Sequence, residues 1–150
     1  MTTIVFRDGW VAYDTQAVRS GTVMPESLDK AWRIAGGGVA ALCGEFNGSD
    51  DLKAWLDDGK AWEQPKIPEN TILIVFMPDG AIVEHTSSGK AATKPLHGYY
   101  AWGSGQDAAL GALAMGAKAH RAVEIAMMFD LGTGGTARQI KIVAENDDGA

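Results

Sequence analysis

The sequence has little cysteine and no long apolar run. Cys43 is the single cysteine among 150 residues, which excludes a disulfide within the chain and is typical of proteins from a reducing compartment. No apolar run approaches the ~20 residues that span a bilayer. Met1 is not followed by the charged and apolar segments of a signal sequence. We therefore expect a soluble, cytoplasmic protein.

Basic residues are also scarce. The chain has 13 Lys and Arg residues against 19 Asp and Glu residues, a formal net charge of −6. Because no basic stripe is present to neutralise phosphates, this composition disfavours binding to nucleic acid. The histidines His85, His97 and His120 are scattered and lack the spacing of metal ligands. We expect no metal, no cofactor and no membrane partner.

The order of the apolar segments predicts an α+β protein of one domain, residues 1–150. Short Val- and Ile-rich runs separated by glycines predict strands, and runs with apolar residues three and four apart predict helices. Strands come first, then a helix, more strands and a helix pair, which favours two sheets with helices outside. The predicted strands are 3–7, 10–15, 31–35, 38–43, 71–77, 81–86, 99–102 and 138–143. The predicted helices are 49–59, capped by Ser49, 106–115 and 118–129. Residues 145–150 are expected to be a frayed acidic tail.

Thr2 becomes the first residue once Met1 is removed. An N-terminal threonine combines nucleophile and base in one residue, because its hydroxyl can attack while its own α-amine accepts the proton. The amine suits this role, since its unperturbed pKa of about 7.7–8.0 lies near the operating pH. Many proteins begin with Met-Thr, so this feature gains meaning only from the segments that follow it.

Two of those segments carry an acid and a base. Asp14 lies in the run VAYDT, directly after a short Asp8-Gly9 hairpin, and Lys30 lies in the run DKAWRI, 16 residues beyond Asp14. Each residue alone would more often be a turn residue or a solvated charge.

Three glycine-rich segments follow in order. Gly44 ends the run ALCG after a predicted strand, and Ser104 stands inside the run GSG just before a predicted helix. The run DLGTGG begins at Asp130 and includes Thr133. Glycines at such places let the backbone turn sharply and approach other atoms closely.

Taken together, the segments across residues 2–135 resemble the threonine peptidases of the proteasome β-subunit and bacterial HslV type, which are N-terminal-nucleophile hydrolases. The resemblance implies a four-layer αββα sandwich of two mainly antiparallel sheets with helices outside. Family members usually have two long helices in the first helical layer. Here only residues 61–70 separate the first predicted helix from the next strand. We therefore expect the first helical layer to be reduced.

The resemblance also assigns catalytic roles. Thr2 Oγ would attack a peptide carbonyl, the Lys30 ammonium would lower the pKa of the hydroxyl and amine, and Asp14 would hold Lys30. The Gly44 amide would face the developing oxyanion. The residues that would surround the α-amine are Ser104, Asp130 and Thr133.

A specificity pocket follows from the same resemblance. Its lining positions are Ala17, Leu28, Trp32 and Leu42, and all of these side chains are apolar. Substrates with an apolar or aromatic residue before the scissile bond are therefore expected.

The sequence thus predicts a threonine-type peptidase that acts on peptides or unfolded proteins after Met1 is removed. In the resembled family, enclosure makes an unselective peptidase safe, so a homo-oligomeric ring is expected, and an ATPase unfoldase could regulate it. Two alternatives remain open: a non-catalytic structural or regulatory component of a proteasome-like particle, and an amidase that acts on small amides.

Overall fold

A computed structural model describes residues 1–143, and the predicted acidic tail lies outside the described residues. In chain order the strands are β1 (Thr3–Arg7), β2 (Trp10–Asp14), β3 (Gln16–Arg19), β4 (Thr22–Ser27), β5 (Ala31–Arg33), β6 (Val39–Cys43), β7 (Ile72–Phe76), β8 (Ile82–Thr86), β9 (Gly89–Ala92), β10 (Tyr99–Gly103) and β11 (Ala137–Lys141). The helices are α1 (Ser49–Asp57), α2 (Gln106–Ala114) and α3 (Ala119–Phe129), and a 3₁₀ turn covers Ala35–Gly37.

The chain divides into two compact units. The first unit contains Met1–Ala31 and Pro95–Lys141, and the second contains Trp32–Lys94 with Ile142 and Val143. The prediction of a single domain stays a prediction. Each unit has its own antiparallel sheet and its own apolar core, so each is described by itself.

The sheet of the first unit has the strand order β10-β1-β2-β11, with every neighbouring pair antiparallel. β1 and β2 are joined by the predicted hairpin, in which Asp8 and Gly9 both have positive φ, 53° and 79°. An Asp-Gly pair tolerates this conformation, and such a two-residue turn matches the twist of the strands. β1 therefore lies in the middle of the sheet, with the chain's first residues at its end.

Helices α2 and α3 cover one face of this sheet. Small side chains fill the interface: Val5 and Ala12 from the strands meet Ala109, Ala122 and Ala126 from the helices. These side chains are almost completely buried. Because alanine projects so little, the helix pair lies close to the sheet, and the loops at the helix ends come near the start of β1.

The second unit has a sheet of strand order β5-β6-β7-β8-β9 with α1 packed on it. Leu52, Trp55 and Leu56 of α1 bury against Leu42 and Val75 of the sheet. All five residues of β6 are buried, so that strand is covered on both of its faces. Between α1 and β7 the chain forms no second helix. The predicted reduction of the first helical layer is therefore confirmed.

The α+β class with mainly antiparallel sheets is also confirmed, and most predicted elements are present. Three strands were missed, namely β3, β4 and β9, because their residues are largely exposed and lack apolar alternation. The predicted Ser49 cap is wrong: the cap of α1 is Gly48, with φ 81° and no side-chain hydrogen bond, and Ser49 is already the first helical residue. Within residues 1–143, no helix is long and apolar enough to cross a membrane.

His85 is a buried titratable residue in the core of the second unit. Its side chain is 3% exposed, and the edge of its ring meets Trp55 at a centroid distance of 6.1 Å. Its Nε2 has no hydrogen-bond partner among the described residues. Burial lowers the pKa of His85 below its usual value, and the charges of Lys60 and Lys90 lower it further.

We expect the protein to lose stability as the pH falls below about 6.5, the ordinary pKa of histidine. The folded pKa of His85 is depressed, so the unfolded chain takes up the proton first and acid favours unfolding. Urea unfolding between pH 8 and pH 5 measures this effect. His85→Leu should flatten the dependence on pH, whereas the control His97→Gln, at an exposed position, should leave it unchanged. Equal slopes for the wild type and His85→Leu would contradict this assignment.

Candidate active site

The first residues of the chain are buried at one end of the first sheet. Thr2 is 1% exposed, and Thr3 pairs with Gly103 at the end of β10. The Thr2 backbone N–H donates to Ser104 Oγ over 3.3 Å. Thr2 Oγ1, in contrast, has no hydrogen-bond partner within residues 1–143, although it is buried. A buried hydroxyl that is left uncommitted costs on the order of 1–3 kcal/mol, so such a group needs a reason.

A buried ion pair lies beside this segment. Lys30 Nζ donates to Asp14 Oδ2 over 2.9 Å, and both side chains are completely buried. Lys30 Nζ also donates to the Met1 carbonyl oxygen over 3.3 Å. That carbonyl carbon is bonded to the Thr2 nitrogen, so the ammonium lies next to the peptide bond that precedes Thr2.

Two backbone N–H groups complete the surroundings of Asp14. The Thr3 N–H donates to Asp14 Oδ1 over 2.9 Å, and the Gly134 N–H donates to Asp14 Oδ2 over 3.1 Å. A buried charge pair is tolerated only when its remaining hydrogen-bonding capacity is satisfied in this way. Asp14 thus ties together the start of β1, the end of β2 and the loop after α3.

A second hydrogen-bonded cluster centres on Asp130. Ser104 Oγ and Thr133 Oγ1 both donate to Asp130 Oδ2, over 2.6 and 2.5 Å. Burial by itself would raise the pKa of Asp130. The hydrogen bonds from Ser104, Thr133 and the Gly132 amide outweigh burial, with help from the N-terminal charge, and the pKa of Asp130 is lowered overall. Asp130 is therefore an ionised acceptor.

The ionised state of Asp130 fixes the direction of the neighbouring hydrogen bonds. Because a carboxylate only accepts, the single hydroxyl hydrogens of Ser104 and Thr133 both point to Asp130. Ser104 Oγ is then free to accept from the Thr2 nitrogen. Thr133 Oγ1 in turn accepts from the Thr3 hydroxyl, which lies 2.7 Å away.

Thr3 is a site residue that the sequence analysis missed. Its backbone N–H binds Asp14 and its side chain binds Thr133, so it links the two clusters. Thr3 is completely buried. The available signal was a polar residue in an otherwise apolar strand, TIVF, since a buried threonine needs partners for its hydroxyl.

The glycines of the GSG run are required by close packing. A Cβ atom on Gly103 would collide with the Thr2 carbonyl oxygen, and one on Gly105 would collide with Thr3 Oγ1. Gly103 also has a φ of 99°, which other residues rarely adopt. These two glycines allow the chain start to lie directly against β10, which brings Ser104 to the Thr2 nitrogen.

The glycines in the loop after α3 are also required by close packing. A Cβ atom on Gly134 would collide with the side chain of Gln16, and one on Gly132 would lie 2.5 Å from Cβ of Met1. The loop therefore passes close to the chain start, and only this path lets the Gly134 amide reach Asp14.

Gly44 belongs to the second unit. Its φ is 113°, and a Cβ atom there would lie 2.5 Å from the Asn70 carbonyl oxygen and 2.8 Å from Thr71 Oγ1. The turn after β6 therefore requires glycine for reasons of packing. Its predicted role toward an oxyanion stays a prediction.

The four residues predicted to line a specificity pocket are divided between the units. Ala17 is buried and Leu28 is half-buried in the first unit. Leu42 is completely buried in the core under α1, and Trp32 packs against the same core with the Lys53 ammonium 4.9 Å from its ring centre. Leu42 is therefore a core residue of the second unit with the half-buried Trp32 beside it, and the pocket role of all four residues stays a prediction.

The first unit thus brings together nearly all of the predicted catalytic residues: Thr2, Asp14, Lys30, Ser104, Asp130 and Thr133. Together they offer an uncommitted hydroxyl, a fixed positive charge and an oriented hydrogen-bond acceptor. Within residues 1–143, no group of three or more His, Cys, Asp or Glu side chains is placed to hold a metal ion.

Comparison with known proteins reveals similarity in fold. No family model and no curated protein matches the sequence. A solved structure of Thiobacillus denitrificans BPH matches with a TM-score of 0.60 and 18% identity, over 95% of this chain and 98% of that chain. The structure of the same protein in complex with epoxomicin matches with a TM-score of 0.60 and 20% identity, over the same shares of both chains. At these identities the likeness is one of fold.

The buried pair predicts a large and specific stability effect. Asp14→Asn or Lys30→Met alone should lower the free energy of unfolding by roughly 3–5 kcal/mol, because each leaves one buried charge without its partner. The double variant should lose less than the sum of the single losses. Urea unfolding at neutral pH measures this, with Asp8→Asn as a control whose side chain is 84% exposed. Additive losses would show that the two charges are not coupled.

Proposed function

We propose that this protein is a threonine-type peptidase whose nucleophile is Thr2 after Met1 is removed. The observation that carries the proposal is the buried, uncommitted hydroxyl of Thr2, a residue whose nitrogen contacts Ser104 and whose preceding carbonyl oxygen contacts Lys30. The fold is shared with a BPH protein whose structure contains epoxomicin, a proteasome inhibitor. This likeness supports the same class of chemistry.

The α-amine of Thr2 is the proposed general base. In the present chain the Thr2 nitrogen donates one N–H to Ser104 Oγ, and the hydroxyl hydrogen of Ser104 is committed to Asp130. Once Met1 is removed, the neutral amine can keep this contact through one N–H. Its lone pair is then available for the proton of the Thr2 hydroxyl.

Lys30 supplies the fixed positive charge. Its ammonium donates over 3.3 Å to the carbonyl oxygen of Met1, the residue bonded to the Thr2 nitrogen, and Asp14 holds it there. A positive charge beside the first residue would lower the pKa of both the Thr2 hydroxyl and its amine. Burial strengthens the effect, because little water is present to screen the charge.

The reaction then takes two steps. Thr2 Oγ forms a bond to the peptide carbonyl carbon while its proton passes to the α-amine, and the oxyanion is stabilised by a backbone amide. The peptide C–N bond breaks, and the leaving amine takes the proton from the α-ammonium. Water, activated by the same amine, hydrolyses the resulting ester and restores Thr2.

Replacing Thr2 tests the proposal. Thr2→Ala should abolish peptide hydrolysis while the unfolding free energy stays near that of the wild type, because the hydroxyl makes no hydrogen bond within the described residues. Thr2→Ser, the matched control, keeps a hydroxyl and should keep measurable activity. Hydrolysis of a mixed fluorogenic peptide panel gives the rates, and intact mass shows whether Met1 is absent from each variant.

The outcomes separate the alternatives. Equal turnover by Thr2→Ala and the wild type would exclude Thr2 as the nucleophile. Hydrolysis of small amides without hydrolysis of peptides would favour the amidase. A Met1-free protein with neither activity, and with no gain in mass on incubation with epoxomicin, would favour the non-catalytic particle component.

We further propose that the protein assembles into a closed homo-oligomeric ring. The first unit exposes large apolar side chains near the C-terminal ends of its two helices, where Met115 is 89% exposed, Phe129 is 74% exposed and Leu131 is 98% exposed. A heterologous contact between identical chains repeats until the rotation closes. Burial of these side chains would give such a contact part of its driving force.

Light scattering at micromolar concentration checks the ring. A single species at a multiple of the 15.8 kDa chain mass is expected. Phe129→Ser combined with Leu131→Ser should shift it toward smaller species, since both side chains are exposed and their loss leaves the core intact. A monomer at all concentrations would refute the ring without bearing on Thr2.

A further inference from the structure

A second set of contacts lies directly beside the Lys30–Asp14 pair. The Tyr13 hydroxyl donates to Asp29 Oδ1 over 3.1 Å, and Arg138 Nη1 donates to the same oxygen over 2.7 Å. Tyr13 precedes Asp14 in the chain, and Asp29 precedes Lys30. The two residues of the proposed catalytic pair are thus bonded to each other, and so are the residues just before them.

A backbone hydrogen bond joins the same two segments. The Leu28 N–H donates to the Thr15 carbonyl oxygen over 2.9 Å. The segment 28–30 therefore contacts the segment 13–15 at three places, through Tyr13 with Asp29, Asp14 with Lys30 and Thr15 with Leu28. These contacts hold the residues just before Lys30 against the end of β2.

Arg138, the second donor to Asp29, comes from the neighbouring strand β11. It lies in β11 directly opposite Tyr13 of β2, so the two side chains project from the same face of the sheet. Its guanidinium balances the Asp29 charge. Asp29 is therefore held by two donors, one from β2 and one from β11.

The phenol of Tyr13 keeps its proton throughout the ordinary pH range. Burial raises the pKa of Tyr13 to about 12, and the charge and hydrogen bond of Asp29 add to the effect, against an opposing contribution from Arg138. Tyr13 therefore acts as a hydrogen-bond donor to Asp29. Its own side chain is only 4% exposed, whereas those of Asp29 and Arg138 are 59% and 47% exposed.

We propose that Tyr13, Asp29 and Arg138 form a clamp whose task is to position Lys30. An exposed ion pair such as Asp29–Arg138 adds little to stability, so its alignment with a buried phenol next to the site indicates a geometric role. The clamp fixes the backbone at residue 29, and Lys30 then reaches Asp14 and the Met1 carbonyl oxygen beside Thr2. The catalytic part of this role rests on the function proposed above.

The test compares three clamp variants with a matched control. Tyr13→Phe removes one hydroxyl, Asp29→Asn removes one charge, and Arg138→Gln removes the partner of that charge. Tyr99→Phe is the control, since Tyr99 lies in β10 at the opposite edge of the same sheet. Two readouts are made on the full chain: the exchange rate of the Lys30 ammonium protons by ¹⁵N NMR, and the kinetics of peptide hydrolysis.

The clamp predicts faster exchange at Lys30 in all three variants, by about tenfold, because the buried ammonium opens more often. It also predicts a fall in kcat of about tenfold with KM within about twofold of the wild type. The acidic limb of the kcat profile should move to higher pH, since a less well placed positive charge lowers the pKa of the α-amine less. Tyr99→Phe should match the wild type in every readout.

The failure modes are distinct. Wild-type exchange at Lys30 in Asp29→Asn and Arg138→Gln would overturn the clamp, whatever the activity. Absence of Thr2-dependent hydrolysis in the wild type would refute the proposed function, and the exchange rates alone would then decide on the clamp. If Tyr13→Phe does not fold, Asp29→Asn and Arg138→Gln still test the proposal, because their side chains are more exposed. The double variant Tyr13→Phe/Asp29→Asn gives a further check. If its loss in kcat, expressed as a free energy, equalled the sum of the two single losses, the two residues would not act as one clamp.

Discussion

The buried pair of Asp14 and Lys30 is the constraint on which the rest of the first unit depends. Removing a carboxylate and an ammonium from water costs several kcal/mol per ion, and mutual attraction offsets that cost only with good geometry and further hydrogen bonds. The pair meets this demand with a 2.9 Å contact and two backbone donors on the carboxylate. The donors come from β1 and from the loop after α3, so both segments must converge on the end of β2.

That convergence explains why small residues surround the chain start. The loop after α3 passes so close to Gln16 and Met1 that Gly134 and Gly132 leave no space for a side chain, and Gly103 and Gly105 do the same under Thr2 and Thr3. The polar groups that this packing buries form hydrogen bonds with one another. Thr2 Oγ1 is the exception among the site's buried hydroxyls within residues 1–143, which is what a nucleophile awaiting its substrate requires.

Elements with a strong local pattern in the sequence were predicted, and features that depend on distant parts of the chain were not. The strands of the β1–β2 and β7–β8 hairpins were predictable because apolar runs flank turn residues, and α3 because its apolar residues recur at helical spacing. β3, β4 and β9 were missed because their pairing depends on backbone contacts between exposed residues. The pocket positions Leu42 and Trp32 came from the resemblance alone, and the packing of both side chains with the core under α1 is what the structure adds. Thr3 and the Tyr13–Asp29 contact depend on tertiary neighbours that no local pattern specifies.

The weak sequence likeness to BPH, 18–20%, is compatible with the shared fold because different parts of the chain are constrained to different degrees. An alanine-lined helix interface and an aliphatic sheet core accept many combinations of similar total volume. The charged pair, the hydroxyl and carboxylate partners of Thr2, and the glycines beneath the chain start cannot be exchanged in this way, since each is set by a contact at one position. The fold by itself is compatible with several functions. The assignment to a threonine peptidase therefore depends on this small polar set, and above all on a hydroxyl that the described structure buries and leaves without a partner.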